Sequence, residues 1–134
     1  MQNIPGEQLF ESQRFQVVRL VEQCRDGISR SKDIIKHPGS VGIVPFVDDE
    51  QVCLIEVLRP GVGRTLIEIP AGTLDRTESL QAAAIRELGE ETGYQSDFLE
   101  SLGELWMSPG ILHERMHLFV AKGLRSGRQA LEPN

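Results

Sequence analysis

Residues 72–94 read GTLDRTESLQAAAIRELGEETGY and place Glu87, Glu90 and Glu91 at i, i+3 and i+4. A helix advances about 100° per residue, so the three carboxylates share one face, with Ile85, Leu88 and Thr92 turned away from it. Like charges at that spacing repel by a few tenths of a kcal/mol per pair. Thr77 reads as the N-cap, Glu78 suits the positive end of the helix dipole, and the helix is expected to run to about Thr92. Gly93 reads as the C′ residue, which leaves Glu90 and Glu91 near the negative end. A solvated helix gains nothing from acids placed there. Hard carboxylate oxygens brought to one point suit a divalent cation, Mg²⁺ or Mn²⁺.

Elsewhere strand patterns dominate. Residues 14–23 and 28–35 flank Asp26-Gly27, a hairpin turn dipeptide. Residues 41–47 and 52–58 are apolar runs around Asp48-Asp49-Glu50, predicting a second hairpin of buried strands. A short strand over residues 65–69 leads to Pro70, and residues 101–106 and 115–122 read as two more around a Ser108-Pro109-Gly110 loop. The tail over 125–134 is polar and expected to be loose. A chain of 134 residues can bury one core but not two, so a single domain over 1–134 is expected. It divides into a hairpin region at 1–38, a catalytic core at 39–124 and the tail at 125–134.

A net charge of −6 argues against non-specific nucleic-acid binding, which needs a basic face. It permits a phosphate-bearing small molecule, because a bound cation can locally reverse the sign. Cys24 and Cys53 form no C-x-x-C pair and read as ordinary reduced cysteines. No signal-peptide pattern opens the chain and no apolar run approaches a membrane span, so a cytoplasmic protein without membrane contact is expected.

The acidic stretch also matches a longer pattern: G, five residues, E, seven residues, then R-E-U-x-E-E-x-G-U, with U a bulky apolar residue. Gly72, Glu78, Arg86, Glu87, Leu88, Glu90, Glu91, Gly93 and Tyr94 fill it, Tyr94 being aromatic where an aliphatic residue is usual. It resembles the signature of the Nudix hydrolases, enzymes that cleave a nucleoside diphosphate linked to another group. The resemblance implies an α/β fold, an α/β/α sandwich with a mixed sheet. Longer members carry a further C-terminal helix; this sequence stops before it, so either the chain is a fragment or a neighbouring subunit supplies that surface. A homodimer formed through the N-terminal hairpin is expected on that second view.

By the same resemblance Glu87 and Glu91 are metal ligands, Glu90 holds a further ion, and the Ala71 carbonyl is another ligand. Arg86 orients a catalytic glutamate. Glu78 lies about half a turn out of phase with Glu87, which makes it structural rather than a ligand. Gly72 lets its loop approach the metal closely.

Ile67-Glu68-Ile69-Pro70-Ala71-Gly72 resembles the E-x-P-A-G run of ADP-ribose pyrophosphatases, and Ser108-Pro109-Gly110 resembles their proline-bearing loop. His37-Pro38-Gly39 and Arg59 fall where those enzymes often have HPG and an arginine. Arg59, Glu68, Pro109 and Gly110 are therefore candidate substrate contacts. Glu114 stands where related enzymes present a glutamate near the attacking water, and Glu90 or Glu91 is the alternative base. The implied reaction is hydrolysis of ADP-ribose to AMP and ribose 5-phosphate. GDP-mannose or another nucleoside diphosphate sugar, or ligand sensing without catalysis, are the alternatives.

Two motifs point elsewhere. His113-Glu114-Arg115-Met116-His117 is a literal H-E-x-x-H, which binds zinc only when a helix puts both histidines on one face. Met116, Leu118 and Val120 alternate with His117, Phe119 and Ala121, predicting a strand instead. Gly61-Val62-Gly63 lacks the third glycine of a dinucleotide fingerprint and reads as a loop between strands.

Overall fold

A computed structural model of the protein describes residues 5–127. In chain order it runs β1 (Glu7–Glu11), β2 (Gln16–Gln23), β3 (Ser29–Lys36), β4 (Ser40–Pro45), β5 (Ile55–Arg59), β6 (Arg64–Glu68), β7 (Ala71–Thr73) and α1 (Leu80–Thr92). There follow β8 (Tyr94–Gln95), β9 (Phe98–Ser108), β10 (Leu112–Lys122) and β11 (Arg125–Ser126). The helix α1 is the one helix among the described residues, and none of them forms a helix long and apolar enough to cross a membrane. The residues group into two compact units: those up to Gly39 with Trp106–Arg115, and Ser40–Leu105 with the residues from Met116 on.

In the first unit β2 and β3 pair antiparallel from Gln16↔Lys36 to Gln23↔Ser29. Asp26-Gly27 makes the turn: Gly27 takes a φ of 77°, and the Asp26 carboxylate accepts the Ile28 N–H at 3.0 Å. Strand β1 adds antiparallel to β2, and Leu112 and His113 of β10 run parallel to Ile35 and Lys36.

The second unit holds the core. From Met116↔Ser40 to Ala121↔Pro45, β10 runs parallel to β4, and β4 pairs antiparallel with β7. Period-2 alternation turns Val41, Ile43, Phe119 and Ala121 inward, where they meet Ala83, Ala84 and Leu88 of α1. Two small alanines let the helix approach the strands closely, and burial of Leu88 alone contributes on the order of 2 kcal/mol. Ile85, by contrast, is exposed. The α/β class with mixed pairing is what the sequence predicts.

Several local expectations are corrected. The helix begins at Leu80 with Ser79, not Thr77, as N-cap: the Ser79 hydroxyl accepts the Ala82 N–H at 3.1 Å. Glu78 therefore precedes the cap rather than sitting in the first turn. The second predicted hairpin closes only briefly. Asp48 accepts the N–H groups of Glu50 and Gln51, both at 2.8 Å, and Phe46 bridges Val52, but β5 then pairs with β6 instead of β4. Strand β5 is consequently not buried, with Leu58 exposed. Arg125 and Ser126, expected to begin a loose tail, pair antiparallel with Gln95 and Tyr94, and Gly127 donates to the Gly93 carbonyl at 2.6 Å. The rest of that tail, from 128, lies outside the described residues. Gly61-Val62-Gly63 forms the turn between β5 and β6, and the H-E-x-x-H residues lie on strand β10.

Candidate active site

Helix α1 ends where Gly93, at a φ of 75°, donates its N–H to the Gly89 carbonyl, so the acids of its last two turns are held on a fixed frame. Within that frame Arg86 is the hub. Its guanidinium donates to Glu78 at 2.8 Å, to Glu87 at 2.7 Å and to Glu90 at 2.8 Å. Burial opposes its charge, but the hydrogen bonds to Glu78, Glu87 and Glu90 outweigh that and hold its pKa above the ordinary value. The same bond holds the Glu78 carboxyl below its ordinary pKa. Arg76, which the sequence argument passed over, lies 3.7 Å from the other Glu90 oxygen.

Glu91 turns toward the strand rather than toward Arg86. It accepts the Ala71 N–H at 2.9 Å. Burial pushes its carboxyl up, the Ala71 N–H pulls it down, and the neighbouring Glu87 charge pushes it up again, for a net rise. Gly72 follows Ala71, and a Cβ there would overlap the Glu87 carboxyl group. The backbone of β7 and the acid face of α1 thus approach as closely as only glycine allows.

Arg59 and Glu68, at opposite ends of the β5–β6 register, form a bidentate ion pair at 2.9 and 2.7 Å. The Arg59 hydrogen bond holds the Glu68 carboxyl below its ordinary range. Arg59 also acts on Glu91 electrostatically, opposing the rise in that carboxyl.

Pro109 and Gly110 occupy a tight turn in which the Ile111 N–H donates to the Ser108 carbonyl at 3.1 Å. They and Glu114 belong to the first unit, whereas Arg59, Glu68, Ala71 and the helix acids belong to the second. Glu114 there faces His37, whose Nδ1 is 3.6 Å from its Oε1. The one sequence signal for His37 is the HPG triplet it opens.

These donors fit a hard divalent cation chemically: three carboxylates on one helix, one of them half-buried, beside the backbone of Ala71. As the side chains lie, no three acids, histidines or cysteines among the described residues are gathered around one point. Glu87 and Glu90 are drawn instead onto Arg86.

A family model for the NUDIX domain matches residues 36–134. The chain belongs to the Nudix hydrolase family. Among its relatives, the methanol dehydrogenase activator of Bacillus methanolicus is 33% identical over 95% of this chain and 69% of its own length. The ADP-ribose pyrophosphatase of Bacillus subtilis is 33% identical over 90% of this chain and 65% of its own length. A crystal structure of an ADP compounds hydrolase superposes with a TM-score of 0.81 at 28% identity, over 98% of this chain and 72% of that one. The chain thus spans about two thirds of the length of these relatives, and less than half of some others.

Proposed function

We propose that this Nudix domain hydrolyses the diphosphate bond of ADP-sugars, ADP-ribose first among them, giving AMP and ribose 5-phosphate. The observation that carries the reading is the close approach of the acid face of α1 to β7, where Glu91 accepts the Ala71 N–H and only a glycine at 72 leaves room for the Glu87 carboxyl. The likeness to ADP-ribose pyrophosphatase supports the choice of substrate. Glu87, Glu90, Glu91 and the Ala71 carbonyl would hold Mg²⁺, with Mn²⁺ as a substitute. The chemistry such a cation supplies is neutralisation of the phosphoryl oxygens and easier ionisation of water.

The side chains do the rest. Arg86 keeps two of the acids in one orientation. Arg59 contacts the diphosphate, and Glu68 fixes its guanidinium in the plane that a bidentate contact needs. Pro109 and Gly110, on the likeness of their loop, are proposed substrate contacts. Glu114, on the strength of its place in the sequence, positions or deprotonates the attacking water, with Glu90 or Glu91 as the alternative base. A homodimer through residues 1–38 and a cytoplasmic location complete the reading. Sedimentation at micromolar concentration decides the first of these, and a purely monomeric chain would remove it.

A substrate panel tests the proposal. With Mg²⁺, ADP-ribose should be turned over with a kcat/KM at least about tenfold above GDP-mannose, roughly 1.4 kcal/mol in transition-state binding. EDTA should abolish turnover, and ¹⁸O from water should enter a product phosphate. A clear preference for GDP-mannose would reject the substrate. Turnover that survives EDTA would reject the metal, and label in the ribose would reject attack on phosphorus.

A further inference from the structure

The triplet His37-Pro38-Gly39 joins β3 to β4, and nothing in the reaction outlined so far uses it. Its backbone is tied to the chain just before Glu114. The Ile35 N–H donates to the Ile111 carbonyl at 2.8 Å and the His37 N–H to the His113 carbonyl at 3.2 Å. These bonds continue the parallel pairing Leu112↔Ile35 and His113↔Lys36. The main chain therefore fixes the spacing of the His37 and Glu114 backbones.

The ring itself is fixed by its own triplet. The Gly39 N–H donates to His37 Nδ1 at 3.2 Å. Gly39 itself takes a φ of 103°, a region that side-chain-bearing residues rarely enter, as the chain turns from β3 into β4. Pro38 narrows the path between them by holding its own φ near −65°. The Gly39 N–H, placed by the Pro38 backbone, thus sets the orientation of the His37 ring.

Glu114 Oε1 lies 3.6 Å from the same Nδ1, with both side chains largely buried at 19% and 16% exposure. One nitrogen cannot accept from Gly39 and donate to Glu114 together. The 3.6 Å separation is too long for a hydrogen bond, so the Gly39 contact is the one formed. Nδ1 is then unprotonated and the ring proton sits on Nε2. His37 accordingly meets Glu114 with its ring held by Gly39 on one side of the carboxylate.

We infer that His37 is a positioning residue for Glu114, holding its carboxylate where it can act on water, with the Gly39 N–H fixing the ring. The inference rests on the proposed role of Glu114. Misplacing a catalytic group by about 1 Å can cost up to 10²-fold in rate. His37→Ala should therefore lower kcat for ADP-ribose by about tenfold, with KM held within about twofold. His37→Asn, whose amide oxygen can accept the Gly39 N–H as Nδ1 does, should recover most of that loss.

The double variant His37→Ala/Glu114→Gln should be no slower than Glu114→Gln alone, because a residue acting through Glu114 has nothing left to position. In long-range ¹H–¹⁵N spectra the wild-type ring should carry its proton on Nε2, and its signals should move on Glu114→Gln. Wild-type kcat in His37→Ala, or a further tenfold loss in the double variant, would overturn the inference. So would an unmoved ring, a readout that holds even if His37→Ala fails to fold. Should Glu114→Gln stay within threefold of wild type, the Glu114 reading fails and takes His37 with it, while the substrate panel still decides the hydrolysis separately.

Discussion

Arg86 faces Glu78, Glu87 and Glu90 at 2.7–2.8 Å, and Glu78 reaches it from outside the helix altogether. The half-turn phase that makes Glu78 structural presupposes a helix starting at Thr77, whereas α1 begins at Leu80 and leaves Glu78 outside it. Standing before the N-cap, Glu78 meets Arg86 from the flank. Its carboxyl is held below the ordinary 4.5 by the Arg86 hydrogen bond. A depressed carboxyl stabilises the folded state fully above its unfolded pKa and loses that contribution as pH falls through the folded one. Glu78→Gln should thus be less stable than wild type at pH 7, and the gap should narrow as pH drops from 4.5 toward 3. Urea titrations across that range measure it. A gap that stays constant down to pH 3 would mean that Glu78 contributes nothing through its charge.

At the scale of the element, α1 is held at both ends by single residues. Ser79 satisfies the Ala82 N–H at the start, and Gly93 closes the last turn. Ser79→Ala should cost about 1 kcal/mol of stability, the usual loss for a cap hydroxyl. Thr77→Ala, two residues upstream, should stay within about 0.5 kcal/mol of wild type. Chemical denaturation of the two variants separates these values, and the reverse ranking would return the cap to Thr77. Thr77 and Ser79 carry the same hydroxyl chemistry, so the sequence could not choose between them without knowing where the chain turns.

The same limit explains the strands. The continuous apolar run from Val41 and the alternation of Met116 to Ala121 announce themselves because Val41, Ile43, Phe119 and Ala121 are buried against α1. The run from Val52 to Leu58 looks alike, yet pairs with Arg64–Glu68 as a two-stranded ribbon. Pairing partners depend on register across distant segments, which local pattern does not encode. Glu56, interrupting that run, was the one local sign that β5 is not a core strand. Within the site, the helix acids were legible because 3.6-residue periodicity alone puts them on one face. The Arg59–Glu68 pair and the ring contact of His37 with Glu114 were not, since each depends on how strands come together.

For the molecule as a whole, the half-buried Glu91 sets metal binding against the stability of the metal-free fold. Burial and the Glu87 charge both raise its carboxyl pKa, so at neutral pH its ionised form is disfavoured in the folded state relative to the unfolded one. Removing the charge while keeping the shape should relieve that cost. In EDTA, Glu91→Gln should therefore melt above wild type. Mg²⁺ that binds only the folded state stabilises it by RT ln(1 + [L]/Kd), about 2.7 kcal/mol at a hundredfold excess over Kd. Wild type should gain several degrees in Tm on adding Mg²⁺, at a few degrees per kcal/mol, while Glu91→Gln gains little. The order of the two melting temperatures should reverse between EDTA and saturating Mg²⁺. Parallel curves, with the same Mg²⁺ shift in both proteins, would place the cation away from Glu91 and leave the acid face of α1 without its proposed ion.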